Sequence, residues 1–197
     1  MSNTPRALRG PVSSALAGFL LVSAACGGEE MDQGLPDGVR NVLSEEDIQR
    51  LENLGLDIHR GSAPPSIEGR YFTDSRQLVA SSFDDSFSPG HRFVNATYEF
   101  SDQVGSELVI ELQEGSVSMG EGVGGFISGQ DQSFSVFAII DNVTRGVENR
   151  TIEIYSGRLV ADGIADYQIG LYMDAKEGDE DNRVLIPEQT GRLVHEA

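Results

Sequence analysis

The 197-residue chain has few cysteines, tryptophans and basic residues, and each shortage argues against a class of protein. Its single cysteine excludes an intramolecular disulfide bond and any metal site built from cysteine alone. Only 14 Lys and Arg residues stand against 32 Asp and Glu residues, which gives a formal net charge of −18 at pH 7. That charge argues against nucleic acid as a partner, because the phosphates would be repelled. The absence of tryptophan counts against a carbohydrate-binding surface of exposed aromatic rings.

The common motifs of catalytic and metal sites are also missing. No G-x-S-x-G motif occurs, and His59, His91 and His195 have neither H-x-x-x-H nor H-E-x-x-H spacing. A carboxylate pair for glycoside hydrolysis stays open, since many acidic residues are present and none is singled out. We therefore predict no catalytic, metal-binding or cofactor-binding residues and no cofactor.

Two local patterns resemble ligand-binding motifs, but a purely structural role explains each of them better. Residues 120–125 match G-x-G-x-x-G, but no helix pattern follows and Glu121 would repel phosphate, so a bent strand or a loop is favoured. The acidic segment 174–182 suggests calcium, yet Val184 stands where an EF-hand that starts at Asp179 requires glycine. We predict a solvated hairpin loop there, with weak calcium binding as the alternative.

The first 26 residues have the pattern of an export signal. Arg6 and Arg9 precede a 12-residue apolar run over 11–22, and three small residues then lead to Cys26. The run is well short of the roughly 20 residues that a membrane-spanning helix needs.

Residues 22–26, Val-Ser-Ala-Ala-Cys, resemble the lipobox of bacterial lipoproteins. The resemblance implies a signal peptide over 1–25, cleavage before Cys26 and acylation of that cysteine, so that the membrane becomes a partner. Several acyl chains hold a protein stably at a membrane, whereas one chain is marginal. Gly27 follows Cys26, which by resemblance to Gram-negative lipoproteins favours the outer membrane. A free thiol behind a conventional signal peptide is the alternative.

After the signal, the sequence predicts a flexible tether over 26–43 and a folded domain over 44–197. The tether is polar and contains four glycines. A short helix over 45–54 should open the domain, with Ser44 as its N-cap and Gly55 in the left-handed position after it. Acidic residues fill its first turn, where the helix dipole favours them. This is the only helix that the pattern indicates.

From Tyr71 onward, apolar and polar residues alternate with period two, which is typical of strands. Turn residues separate eight or nine such segments at regular spacing, so an antiparallel barrel or sandwich is predicted. The apolar sets of these segments are Val94–Ala96–Tyr98–Phe100, Leu108–Ile110–Leu112, Phe134–Val136–Ala138–Ile140, Ile152–Ile154, Tyr167–Ile169–Leu171–Met173 and Leu193.

The entry to these strands, over 61–71, has the pattern G-x-x-P-P-x-I-x-G-x-Y. It is similar to secreted bacterial lipoproteins of unknown function whose domains are calycin-like (lipocalin-like) barrels. Residues 185–187 and 190–192 resemble their C-terminal part. The resemblance implies a mainly β, eight- to nine-stranded antiparallel calycin-like barrel with one short N-terminal helix.

These observations together predict a non-catalytic envelope lipoprotein that binds a small or apolar ligand in its barrel or has a structural role. Small barrels can hold one ligand, but inward Ile, Val, Leu and Phe can equally fill the interior. A surface adhesin or carbohydrate-binding sandwich is the first alternative, and an envelope hydrolase is the second.

Overall fold

The computed structural model describes residues 34–115 and 117–196. The predicted signal peptide and Cys26 lie outside the described residues. Within the described part, no helix is both long and apolar enough to cross a membrane.

The described chain forms two short helices followed by ten strands. The helices are α1 (Asp37–Arg40) and α2 (Glu45–Asn53). The strands are β1 (Ser62–Ala63), β2 (Gly69–Thr73), β3 (Arg76–Ser81), β4 (Ala96–Val104), β5 (Glu107–Glu114), β6 (Val117–Gln130), β7 (Ser133–Thr144), β8 (Val147–Val160), β9 (Gly163–Glu177) and β10 (Gly191–Glu196).

Nine strands lie side by side in the order β2-β4-β5-β6-β7-β8-β9-β10-β3, and all these neighbours are antiparallel. The two edge strands, β2 and β3, are consecutive in the chain and are separated only by Asp74 and Ser75. The sheet must therefore curl until its edges approach each other, which gives a half-barrel. This architecture confirms the predicted mainly β fold and is consistent with the calycin-like barrel that the resemblance implies.

The inner face of the half-barrel carries the larger apolar core. Tyr98, Phe100 and Tyr155 are among its fully buried side chains. The predicted apolar sets of β5 and β7 belong to it, as does the set of β4 except for Val94. Ile67 is also fully buried against this core. Its backbone N–H donates to Gln103 Oε1 at 3.0 Å, in the β4–β5 hairpin, so the chain before β2 closes this end of the half-barrel.

The outer face carries a second core, because α1 and α2 pack on it. Ile152, Ile154 and Leu193 contact this cluster rather than the interior. The alternation of β8 therefore points Glu153 and Tyr155 inward. Val94 departs further from the prediction, since it lies outside the strands and is 60% exposed.

Helix α2 confirms the prediction for 45–54 to within one residue. The Ser44 side chain accepts a hydrogen bond from the Asp47 backbone N–H at 3.2 Å. At the other end, Gly55 has a φ of +103°, and the Leu56 N–H donates to the Leu51 carbonyl at 3.3 Å. These are the hydrogen bonds and backbone geometry of a Schellman cap, which stops the helix where the glycine permits a left-handed turn.

The tether prediction is wrong for its second half, because residues 34–43 belong to the folded domain. Leu35, Val39 and Leu43 are buried in the outer core, and helix α1 lies within this segment. Gly38 permits the close approach, since a Cβ there would lie 2.2 Å from the Phe126 ring. The segment has a mainly polar composition, but Leu35, Val39 and Leu43 are spaced four residues apart, which is enough to place one helical turn on a sheet.

A Val39→Ala substitution should lower the free energy of unfolding by about 2 kcal/mol, because a fully buried side chain loses two methyl groups and leaves a cavity. Urea unfolding followed by circular dichroism measures the loss. Val104→Ala is the matched control, since Val104 is 77% exposed. Equal stability of V39A and wild type would mean that the segment is not docked.

Candidate ligand-binding site

A cavity of about 680 Å³ opens at the end of the half-barrel opposite Ile67. The β7–β8 hairpin, the segment after β3 and the β9–β10 loop surround it. Apolar and aromatic side chains line much of its wall: Phe83, Phe87, Leu171, Met173, Val184, Leu185 and Ile186. The interior is thus filled near the closed end and hollow near the open end, a combination that the sequence left open. A volume of this size is typical of small-molecule sites.

The wall contributed by the segment after β3 is held in place by Arg192 of β10. Its guanidinium donates to both Asp85 carboxylate oxygens, at 2.6 and 2.7 Å. The same guanidinium carbon lies 5.5 Å from the Phe83 ring centroid and 5.0 Å from that of Phe87. Burial raises the pKa of Asp85, but hydrogen bonds from Arg192 and Ser81 outweigh it and lower that pKa to about 2. The Asp85 carboxylate therefore stays ionised and paired with Arg192 at neutral pH.

The β9–β10 loop, which forms a second wall, is organised by Asp179. Its carboxylate accepts hydrogen bonds from the backbone N–H groups of Arg183, Val184 and Leu185, and from Lys176 Nζ at 3.1 Å. The hydrogen bond from the Leu185 N–H is the main reason why the pKa of Asp179 falls to about 2. The prediction of a solvated hairpin loop over 174–182 is only partly right. Residues 174–177 are the end of strand β9, the loop begins after them, and Asp179 within it is buried rather than solvated.

The inner lining of the cavity includes a buried carboxyl group, that of Glu153 on β8. The residue is 8% exposed, and Tyr155 Oη donates to its Oε2 at 2.5 Å. Its Oε1 makes no hydrogen bond with the described residues, and it is not one of the fully buried atoms left without a partner, so it is open to solvent in the cavity. Burial raises the pKa of Glu153 to about 7, with a further increase from the charge of Glu114, although the Tyr155 hydrogen bond and Arg76 oppose the change.

The interior also contains one buried cation, Arg76 of β3. Its Nη2 lies 2.7 Å from Glu114 Oε1, and its Nη1 donates to Tyr98 Oη at 3.0 Å. The Nε and Nη2 groups both donate to the Val94 carbonyl, at 2.9 and 2.6 Å. The guanidinium is therefore fully used by Glu114, Tyr98 and the backbone, and it makes no ion pair with Glu153.

A second polar group of the interior has no partner at all. Tyr167 Oη is buried without a hydrogen bond among the described residues, and its ring packs 5.8 Å from that of Tyr98. A buried hydroxyl without a partner costs about 1–3 kcal/mol. The interior of the half-barrel therefore contains hydrogen-bonding atoms that its own side chains leave without a partner.

A groove of about 710 Å³ lies at the tips of β7 and β8, and its polar groups differ from those of the cavity. Its ion pair, between Arg150 and Asp141 at 2.7 Å, is exposed to solvent on both sides. Its buried polar residue, Asn149, already donates to the carbonyls of Asn142 and Val147. The groove therefore has no unpaired buried group for a ligand.

The structure does not gather the other candidate residues into a site. Among the residues described, no group of three His, Cys, Asp or Glu side chains is placed to hold a metal ion. His59 precedes β1, His91 stacks on Phe87 in the β3–β4 segment, and His195 lies in β10. Residues 120–125 lie within strand β6, where the pairing with β5 is irregular, and no helix follows.

Sequence reasoning missed Glu153 because it followed the apolar set of β8. Ile152 and Ile154 pointed to one buried face, and the other face carries Thr151, Glu153 and Tyr155. The available signal was Tyr155, a large aromatic residue on the same face of the strand as Glu153. Its burial, and with it the burial of Glu153, becomes evident only when both faces of the strand are seen to be covered.

Comparisons with known proteins add nothing to this geometry. No protein-family model, no curated protein and no solved structure matches the chain.

Proposed function

We propose that the protein is a membrane-anchored, non-catalytic envelope lipoprotein that binds a small, largely apolar ligand in its half-barrel. The cavity carries the binding part of this proposal, because it is a concave space in which apolar and aromatic side chains form part of the wall and polar or charged side chains form the rest. The lipobox-like segment before Cys26 carries the anchoring part.

The closed end and the open end of the half-barrel have different roles. The apolar core around Tyr98, Phe100 and Tyr155 supplies stability, while the hollow end is built from loops that Arg192 and Asp179 hold rigid. Rigid loops on a sheet scaffold preorganise a site, so less conformational entropy is lost when a ligand binds.

We expect the protein to be anchored in the outer membrane by acyl chains on Cys26. The folded domain, which starts at residue 34, has 29 acidic and 12 basic residues, a formal charge of −17. An anionic membrane surface would repel such a domain, so the acyl chains of Cys26 must hold it at the membrane.

A Cys26→Ser substitution should abolish incorporation of a labelled fatty acid when the full-length chain is expressed in a Gram-negative bacterium. The thiol and the α-amino group of this cysteine are the acylation points that the lipobox implies. Fluorography after labelling measures the effect, and Gly27→Ala, which leaves the cysteine in place, should be labelled like wild type. Labelling of C26S at the wild-type level would contradict the anchor.

An envelope hydrolase is the second candidate, and one observation favours it. A carboxyl group in a cleft with a pKa near 7 is suited to general acid–base chemistry. Hydrolysis would need a second free group held close to Glu153, however. Of the two other carboxylates that line the cavity, Asp85 is paired with Arg192 and Asp84 is exposed to solvent. A binding role for Glu153 therefore fits the described cavity better than catalysis.

A further inference from the structure

We propose that the cavity recognises a small organic ammonium ion with an apolar body, and that the Glu153 carboxylate is its counter-ion. The proposal rests on the ligand-binding function proposed above and names the chemical class of the ligand.

The first argument is the position of the carboxylate. Glu153 is more than nine-tenths buried, lines the cavity, and uses only Oε2 in its hydrogen bond with Tyr155. Oε1 is left without a partner among the described side chains. A carboxylate oxygen only accepts hydrogen bonds, so its natural partner is a donor, and a positively charged donor gains most in a buried place.

The second argument is that each arginine near Glu153 is either paired with another group or exposed in a turn. Arg76 is held by Glu114, Tyr98 and the Val94 carbonyl. On the cavity wall, Arg192 is paired with Asp85 at 2.6 Å, and Arg183 lies 3.0 Å from Asp181. The remaining lining arginine, Arg145, is exposed in the turn between β7 and β8. The described chain thus supplies no counter-ion to Glu153, and a ligand can.

The third argument excludes the other ligand classes. An anion would meet Glu153 and a domain of charge −17, so it is disfavoured at short and long range. A divalent cation needs several oxygen ligands, and no group of three candidate side chains is found among the described residues. An alcohol would satisfy Oε1 but would leave the carboxylate charge unpaired, which is costly in a buried site.

The side chains of the cavity wall indicate the chemical character of the uncharged part of the ligand. Leu171, Met173 and Ile186 offer apolar contacts, and the Phe83 and Phe87 rings stand at the side held by Arg192. A monoammonium compound with an aromatic or branched aliphatic body would therefore fill the space, with its charge at Glu153.

Binding should depend on pH, because only the ionised carboxylate attracts the ammonium ion. Burial is the main cause that raises the pKa of Glu153 to about 7. The titratable and charged groups that face it are Arg76, Tyr98, Glu114, Tyr155 and Tyr167. An alkylammonium ion stays protonated across this range, so affinity should fall about tenfold for each pH unit below 7.

The test is calorimetric titration of the full-length mature protein in non-ionic detergent with three probes of similar shape. They are phenethylammonium, 2-phenylethanol and 3-phenylpropanoate. We expect phenethylammonium to bind at pH 8, at least tenfold more weakly at pH 5, and at least tenfold more weakly to E153Q at pH 8. E148Q, which removes the same charge from an exposed position of β8, should bind like wild type.

Other results would overturn the inference. Equal binding of phenethylammonium to E153Q and wild type, preference for phenylpropanoate, or no binding of phenethylammonium at millimolar concentration would each do so. Binding of the alcohol or the carboxylate alone would reject the ammonium ion and leave the ligand-binding function standing. The ligand-binding function itself would be rejected by a different result, namely that the protein extracted from its own membrane carries no bound molecule.

Discussion

The Glu153→Gln variant is expected to be more stable than wild type at pH 8, by about 3 kcal/mol, and equally stable near pH 4. The pKa of Glu153 is about 7 in the folded protein and 4.5 for an unperturbed glutamate, and each unit of difference corresponds to about 1.4 kcal/mol. The amide removes the buried charge and keeps an oxygen that accepts the Tyr155 hydrogen bond.

The sign follows from proton binding. Because the folded pKa is raised, the folded state holds a proton that the unfolded state releases between about pH 4.5 and 7. The contribution of Glu153 to stability therefore declines as pH rises through this window, and the full penalty is present above 7. Below 4.5 both states are protonated and the penalty disappears.

Urea unfolding of both proteins at several pH values, followed by circular dichroism, measures this difference. Asp85 and Asp179 have lowered pKa values and act in the opposite direction, but they are common to both proteins and cancel. E148Q should lie within about 0.5 kcal/mol of wild type throughout, as exposed substitutions usually do. If E153Q were less stable than wild type at pH 8, the ionised carboxylate would be stabilising and the argument for an unpaired charge would fail.

An Arg76→Met substitution should lower the free energy of unfolding by about 3 kcal/mol or more. Methionine keeps much of the side-chain volume but leaves Glu114, Tyr98 Oη and the Val94 carbonyl without their donor. Removal of one member of a buried pair costs about 3–5 kcal/mol, because the other charge remains uncompensated. Glu114 is 27% exposed at its side chain, so the cost should lie toward the lower limit.

Chemical unfolding at pH 7 measures this loss, and a double-mutant cycle identifies its source. R76M/E114Q should recover part of the stability lost in R76M, since the unpaired carboxylate is then neutral. Arg158→Met is the control, because the Arg158–Asp166 pair is half exposed or more on each side and should contribute less than about 1 kcal/mol. Losses of similar size in R76M and R158M would show that the buried contacts of Arg76 contribute no more to stability than an exposed ion pair.

The sequence predicts best where local chemistry decides the structure. Helix α2 has its N-cap, its acidic first turn and its glycine stop between Ser44 and Gly55, so no distant contact is needed to place it. The strands from β4 to β9 follow period-two alternation with turns between them, and the antiparallel curled sheet follows from their number. These features depend on neighbours along the chain.

The features that could not be predicted from the sequence depend on contacts between distant residues. Helix α1 is only four residues long and is stable because Val39 reaches the outer core, which no local pattern shows. Glu153 resembles a solvent-facing position of β8 until the helices cover the opposite face and the sheet curls. The cavity arises from three loops that are far apart in sequence, so its existence could not be read from any one of them.

Native mass spectrometry of the full-length protein, extracted in mild detergent from the membranes of its own host, tests the central claim most directly. We predict a mature chain that begins at an acylated Cys26 and carries one small molecule, which is lost when the solution is acidified to pH 5. An unmodified chain without any bound molecule, obtained reproducibly, would contradict the claim.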